Sequence, residues 1–408
     1  MRVTFYGTRG SCPVAHRSKG RYGGNTTCLR LDSPCLPAGH WLVIDAGTGI
    51  LPLCADFEAA GGTEVTILHT HYHHDHTQGL ALSTFPYRKE VPVTLYGPRD
   101  QGVGPREVYQ TLMQPPYFPV DLHEVGSHIR CVDIAHPNST VLVIHPEGGW
   151  KVLTVEAFER LAQNGAQVPF GQGLKFELAA CLVIALHRSN HPERTIAYRF
   201  EERPSGVVFA FVTDHENQDG LPARFATHLQ GADLLVMDAQ YTRARYDQLT
   251  AGWGHGTPDY SARVAHAVGA KALGLTHHDP ASSDELVDAI VATARAILTA
   301  QGSEVLSGVG FLRSQKQLMN SSQCVTLNTL RPRLWNEAAT REPRVIEQCH
   351  EDGDPSLAKD TDQAELGCWS WPGRRTVLSR QWEQGAHWQC VLRHPPNTEE
   401  PQRRHRHR

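Results

Sequence analysis

Leu68-His69-Thr70-His71-Tyr72-His73-His74-Asp75-His76 puts five histidines and an aspartate directly behind the apolar run Val65–Leu68. Read as H-x-H-x-D-H, the stretch uses His71, His73, Asp75 and His76. A strand ending near Thr70 would throw these side chains onto one short loop. Imidazoles two residues apart can share one metal ion, and the Asp-His pair that follows reaches a second. Neutral imidazole and carboxylate ligands suit a divalent cation that keeps a position open for water. A solvated His-rich loop is the simpler reading, but so dense a cluster at a strand end argues against it. His69 and His74 fall outside the spacing and are expected to play supporting or structural parts.

Working outward, short β-rich runs alternate with turns and helical patterns up to about residue 315, as in mixed α/β domains. Expected strands include Arg2–Tyr6, Trp41–Ile44, Val65–Leu68, Val93–Tyr96, Val207–Val212, Leu234–Met237 and Ala272–Leu275. Several run straight into polar residues: Asp45, His69, Thr213-Asp214, Asp238 and Thr276-His277. The carboxyl ends of buried strands are where open α/β sheets place their sites. A first helix is expected from Thr257-Pro258 to Gly269. A second should start at a capping box of Ser282 and Glu285 and stop at Gly302.

A two-metal site needs ligands from later in the chain. Asn190-His191-Pro192 supplies a histidine in a turn after the apolar Cys181–Leu186 run, with His187 as its competitor. Asp214 follows a strand, where a carboxylate can bridge two cations. His277 and His278 follow another, and one of them is expected to complete the second metal position.

This set resembles the metallo-β-lactamase superfamily, in particular its ribonuclease Z and cyclic-phosphodiesterase branch. The resemblance covers roughly residues 1 to 315. It rests on Gly7-Thr8-Arg9-Gly10-Ser11, Tyr22-Gly23-Gly24-Asn25-Thr26, Ile44-Asp45-Ala46-Gly47-Thr48-Gly49, the histidine motif and Asn190-His191-Pro192. It continues through Thr213-Asp214, Asp238-Ala239-Gln240-Tyr241-Thr242, Gly254-His255-Gly256-Thr257 and Thr276-His277-His278-Asp279-Pro280. It implies an α/β fold, the four-layer αββα metallo-β-lactamase sandwich. It also implies that His71, His73 and His191 hold one metal, that Asp75, His76 and His277 hold the other, and that Asp214 bridges them. By the same resemblance Asp75 contacts the bridging water, His255 serves the leaving group or phosphate, and Asp45 orders the site. Two divalent metal ions are the expected cofactors, Zn2+ first, with Mn2+ or Fe2+ as alternatives. A homodimer is a reasonable expectation on the same ground. Gly256 in the His-x-Thr element departs from the family, and no basic arm for gripping transfer RNA is evident.

Two cations roughly 3.5–4 Å apart would lower the pKa of a shared water and clamp phosphoryl oxygens. The expected reaction is therefore attack of a metal-bridged hydroxide on a small or cyclic phosphodiester, with Asp75 and His255 as catalytic residues. Hydrolysis of a carbon ester, lactone or thioester on the same fold is the first alternative. A ribonuclease Z-like RNA endonuclease is the second, and a non-catalytic binding module the third. The net charge of −4 offers no global attraction to nucleic acid, so RNA is possible but not favoured.

The 408 residues, 40% hydrophobic and 20% charged, read as a soluble globular chain, and 24 histidines leave room for metal ligation. Ten cysteines without a C-x-x-C pair make a thiolate zinc framework unexpected. The longest apolar stretch, Leu178–Leu186, falls short of the ~20 residues of a membrane span, so no membrane partner and a cytoplasmic location are expected. Residues 1–318 are expected to form the hydrolase domain, with an insertion at about 137–173. Residues 319–408 are expected to be a poorly structured C-terminal extension. The alternative there is a small add-on packed around Trp335, Trp369, Trp371, Trp382 and Trp388.

Overall fold

The computed structural model describes residues 1–309, 323–326, 370–371 and 374–375. The first sheet contains β1 (Arg2–Gly7), β2 (Cys28–Asp32), β3 (His40–Ile44), β4 (Glu64–Leu68), β5 (Val93–Pro98) and β6 (Ile129–Ile134). The strands lie in that order, antiparallel from β1 to β3 and parallel from β3 to β6. The second sheet begins with the hairpin β7 (Thr140–His145) and β8 (Gly149–Thr154). A two-residue ribbon of β9 (Val168–Pro169) and β10 (Lys175–Phe176) follows. Then come β11 (Leu182–Arg188), β12 (Ile196–Glu202), β13 (Val207–Val212), β14 (Leu234–Asp238), β15 (Ala272–Thr276) and β16 (Leu306–Val309). Its order is β16-β15-β14-β13-β12-β11-β7-β8, parallel from β13 to β16 and antiparallel elsewhere. A further strand, β17 (Gln323–Thr326), pairs antiparallel with β1.

Alternation along the strands makes the layers. In β13, Phe209 and Phe211 face a core shared with Leu29, Leu42 and Ile44 of the first sheet. Ala210 and Val212 face the other way, onto the helices Pro258–Ala267 and Asp284–Ala300. In the first sheet Val43, Val65 and Ile67 likewise pack outward against Ile50, Leu53 and Phe57 of the helix Ile50–Ala59. Parallel strands covered on both faces must be apolar at successive positions, and Val207–Val212 and Leu234–Met237 are. The result is helix, sheet, sheet, helix: the expected αββα sandwich.

Segment 137–173 contributes β7 and β8 to the second sheet, then the helix Val155–Gln163 and β9. Val143, Val168, Phe170 and Val183 form a small cluster there, with Phe158 and Leu161 packed against it. The helix Pro258–Ala267 starts after Thr257 with proline in its first turn, and Gly269 follows it at φ 62°. The second helix departs from expectation. Its N-cap is Ser283, whose Oγ accepts the Leu286 N–H at 3.3 Å, and not Ser282. Ser282 belongs to the preceding turn: its N–H donates to the Asp279 carbonyl, and its own carbonyl accepts from Arg9 Nη1 at 2.8 Å.

The chain divides into a unit of Met1–Arg341 and another of Glu342–Arg408. In the second, Ser370–Trp371 pairs antiparallel with Arg374–Arg375. Trp335, Trp369, Trp382 and Trp388 lie outside the described residues, as does the expected boundary at 318. Among the described residues no helix is long and apolar enough to cross a membrane.

Phe200 is wholly buried between the sheets and stacks on Phe209 at 5.6 Å. Phe200→Ala is expected to destabilise the protein by about 3–5 kcal/mol. Urea unfolding of the full chain should show a lower midpoint with an unchanged slope.

Candidate metal centre

Register brings the candidate residues to one level. Ile44 pairs with Leu68 across β3 and β4, so Asp45 and His69 leave the first sheet side by side. Met237 pairs with both Val212 and Leu275 across β13, β14 and β15, so Thr213-Asp214, Asp238 and Thr276-His277 leave the second sheet together. His191 follows β11, and Asp75 and His76 sit in one helical turn, His74–Thr77.

The side chains then converge. Donor atoms of His71, His73, His191 and Asp214 all lie within 4.8 Å of one another, as do those of Asp75, His76 and His277. Asp214 joins the groups. Its Oδ1 lies 3.2 Å from both His76 Nε2 and His277 Nε2, and its Oδ2 lies 3.5 Å from His71 Nε2. Asp75 Oδ2 is 3.0 Å from His277 Nε2 and 3.3 Å from His76 Nε2. Asp214, His255 and His277 form a third overlapping group. The structure thus brings together all eight residues singled out from the sequence: His71, His73, Asp75, His76, His191, Asp214, His255 and His277.

The open alternatives separate cleanly. His277 is in the cluster, whereas His278 is buried beside Tyr22. His191 lies 5.0 Å from the ring of His71, whereas His187 packs on Phe225 and His228. His74 is exposed, and His69 is buried against Tyr109, whose hydroxyl is 3.1 Å from His69 Nε2.

Two features of the cluster suit cations. His71 Nε2, His191 Nε2 and Asp214 Oδ2 are buried without a hydrogen-bond partner, each a cost of about 1–3 kcal/mol if left so. The charge balance points the same way. Burial by itself would raise the carboxyls of Asp75 and Asp214, but the surrounding imidazoles bring both well below the usual range. Burial would discharge His76, yet Asp75, Asp214 and Asp45 push it well above its ordinary value. Buried carboxylates demand compensating positive charge, which divalent ions supply.

Backbone strain is concentrated here. Ser11, Asp45, Asp214 and His277 hold φ of 63°, 59°, 49° and 62°, a region that non-glycine residues enter at a cost. Each is repaid locally. Asp45 accepts the Thr70 N–H at 2.7 Å and the Thr70 hydroxyl at 2.8 Å, and its Oδ2 lies 2.9 Å from His76 Nδ1. Thr213 Oγ1 donates to Asp214 Oδ1, and the Ser11 N–H donates to Asp75 Oδ2. His277 Nδ1 is 3.2 Å from Gln240 Oε1.

Three acidic residues to which the sequence assigned no role take part. Asp238 Oδ2 lies 3.0 Å from His255 Nδ1, and Oδ1 accepts the Gly256 N–H. Burial opposes charge on His255, but Asp238 and Asp214 outweigh it and push the imidazole up to about 9. Glu193 Oε2 approaches His73 Nε2 at 3.1 Å and His191 Nε2 at 3.3 Å from a half-exposed position. Glu216 accepts the Tyr246 hydroxyl and the N–H groups of Gly252 and Gly254. Gly254 in turn accepts His191 Nδ1–H at 2.9 Å. Gly254 must be glycine: φ is +90°, and a Cβ would meet His191 Nδ1 at 2.3 Å. Asp238 had the same signal as Asp45, a strand running into an aspartate. Glu193 and Glu216 had none in local pattern.

An αββα sandwich with a His/Asp cluster at the strand ends defines a hydrolase of the β-lactamase superfamily. The chain belongs to that family: the pattern described as "Beta-lactamase superfamily domain" matches residues 40–278. Among curated relatives it is similar to ribonuclease Z of Brevibacillus brevis, 27% identical over 307 residues, 70% of this chain and 87% of that one. It is also similar to ribonuclease BN of Cronobacter sakazakii, 24% identical over 310 residues, 74% of this chain and 96% of that one. Among solved structures it resembles the metallo-beta-lactamase fold protein YhfI from Bacillus subtilis. The TM-score there is 0.48 at 18% identity, covering 76% of this chain and 96% of that one. The chain is a metal-dependent hydrolase.

Asp45→Asn keeps a residue tolerant of positive φ but replaces one acceptor with a donor facing His76 Nδ1 or Thr70. Affinity for divalent metal is expected to fall about 10- to 100-fold. Competition against a chelating indicator measures it, and an unchanged affinity would remove Asp45 from the support of the centre.

Proposed function

We propose that the protein is a dinuclear metal-dependent phosphodiesterase. His71, His73 and His191 would hold one divalent cation and Asp75, His76 and His277 the other, with Asp214 shared between the two groups. The observation that carries this is the division of Asp214: Oδ1 lies 3.2 Å from His76 and His277, and Oδ2 lies 3.5 Å from His71. A buried carboxylate with one oxygen toward each imidazole group fits a pair of ions better than a single one. Histidine and carboxylate donors without a thiolate suit Zn2+, with Mn2+ or Fe2+ as alternatives. When bound, such a pair activates water and neutralises charge on the phosphoryl oxygens.

The protein groups account for the rest. Asp75, with Oδ2 fixed by the Ser11 N–H at 2.7 Å, orients the attacking water. A P–O bond forms to that oxygen as the P–O bond to the leaving alcohol breaks. Asp238 engages His255 at Nδ1, which leaves the other ring nitrogen to give its proton to the departing oxygen. A leaving-group histidine in a His-x-Thr loop, His255-Gly256-Thr257, fits the phosphodiesterase branch that the sequence resembles better than it fits a carbonyl hydrolase. The net charge of −4 favours a compact or cyclic phosphodiester. RNA is a second reading, supported by relatives named ribonuclease Z and ribonuclease BN.

Turnover of bis-p-nitrophenyl phosphate should exceed that of p-nitrophenyl acetate and disappear on chelation. Preferred turnover of the acetate would overturn the phosphodiesterase reading. His255→Ala is expected to lower kcat about 10²- to 10⁴-fold while metal content, measured by elemental analysis, stays intact. Loss of both metals in that variant would mean that His255 is a ligand and not a proton donor.

A further inference from the structure

The segment Tyr246–Gly254 lies beside the reaction centre, through the Gly254 carbonyl on His191, and is tied down by a set of hydrogen bonds. It begins as a π-helical turn, Tyr246–Thr250, a geometry often found at functional sites. Glu216 grips it at three points: the Tyr246 hydroxyl and the N–H groups of Gly252, at 2.9 Å, and Gly254. Glu216 is itself fixed, since its N–H donates to the Asn190 carbonyl at 2.8 Å and its carbonyl accepts Asn190 Nδ2–H at 3.2 Å. The Trp253 N–H closes the turn onto the Thr250 carbonyl at 3.1 Å. Gly252 and Gly254, at φ of +88° and +90°, allow the chain to fold back on either side of Trp253.

What this firm turn presents is an indole. Trp253 is 53% exposed, against 5% for its neighbour Tyr241. The Tyr241 ring lies 6.3 Å from Trp253 and 6.0 Å from His255. Tyr241 is buried, and the Arg245 guanidinium sits 5.7 Å from its centroid. Trp253 is therefore the ring with surface to spare, one ring removed from the proton donor.

We propose that Trp253 is a base-stacking residue, and that its indole is what makes the site prefer nucleoside phosphodiesters over simple alkyl ones. The inference rests on the phosphodiesterase reading and deepens it. An aromatic ring carried on a turn fixed this way takes a base at reduced cost in backbone freedom, and stacking tolerates any base because each has a π-face. Glu216 is the positioning residue for this platform. The carboxylate accepts three donors with two oxygens, so Glu216→Gln turns one contact into a donor facing a donor.

The test compares two esters that release the same p-nitrophenol: the p-nitrophenyl ester of thymidine 5′-phosphate and methyl p-nitrophenyl phosphate. The readout, on full-length metal-loaded protein, is the ratio of their kcat/KM values. The wild type should prefer the nucleoside ester. Trp253→Ala should reduce that preference roughly 10- to 100-fold, mainly through KM, and Trp253→Phe should retain most of it. Inhibition by thymidine 5′-phosphate should weaken in parallel. A ratio unchanged in Trp253→Ala overturns the inference and leaves the phosphodiesterase intact. So does a change of oligomeric state in that variant with the preference kept, since the indole would then be a contact between protein chains. Turnover of neither ester overturns the underlying reading as well.

Discussion

The buried carboxylate of Asp214 is the constraint on which the rest of the centre depends. It sits at positive φ at the end of β13, held by Thr213 Oγ1 and surrounded by His71, His76 and His277. An unpaired charge in that position would be very costly, so the surroundings must supply positive charge. Two sheets packed face to face with their parallel strand ends in register deliver the imidazoles that do so. Asp45 repeats the pattern at the end of β3, Asp238 ends β14, and Asp75 comes from the helical turn His74–Thr77. The fold thus places acidic groups at three strand ends and one helical turn and converges histidines on them.

Much of this was legible in the sequence because it is encoded locally. An apolar β-rich run that stops at an aspartate or histidine marks a strand end, and His69–His76, Asp214 and His277 all follow such runs. The spacing within H-x-H-x-D-H chose His71, His73, Asp75 and His76 over His69 and His74. The structure brings the chosen four together, buries His69 against Tyr109 and leaves His74 exposed.

What escaped was decided by contacts across the fold. Glu216 matters only because the loop Tyr246–Gly254 folds onto it, and Glu193 because the turn after His191 brings it against His73. No periodicity announces either. Ser282 and Ser283 show the same limit in miniature: both can cap a helix, and Arg9, from the other end of the domain, takes the Ser282 carbonyl and leaves Ser283 as the cap. The segment 137–173, expected to be an insertion, supplies the hairpin that pairs into the second sheet, a pairing its glycine-rich sequence does not announce.

Metal stoichiometry tests the central claim most directly. After loading with zinc or manganese and removal of excess ion, elemental analysis should give close to two metals per chain, falling in Asp214→Ala. A single tightly held ion would contradict the bridging role of Asp214. No bound metal would contradict the account of the centre as a whole.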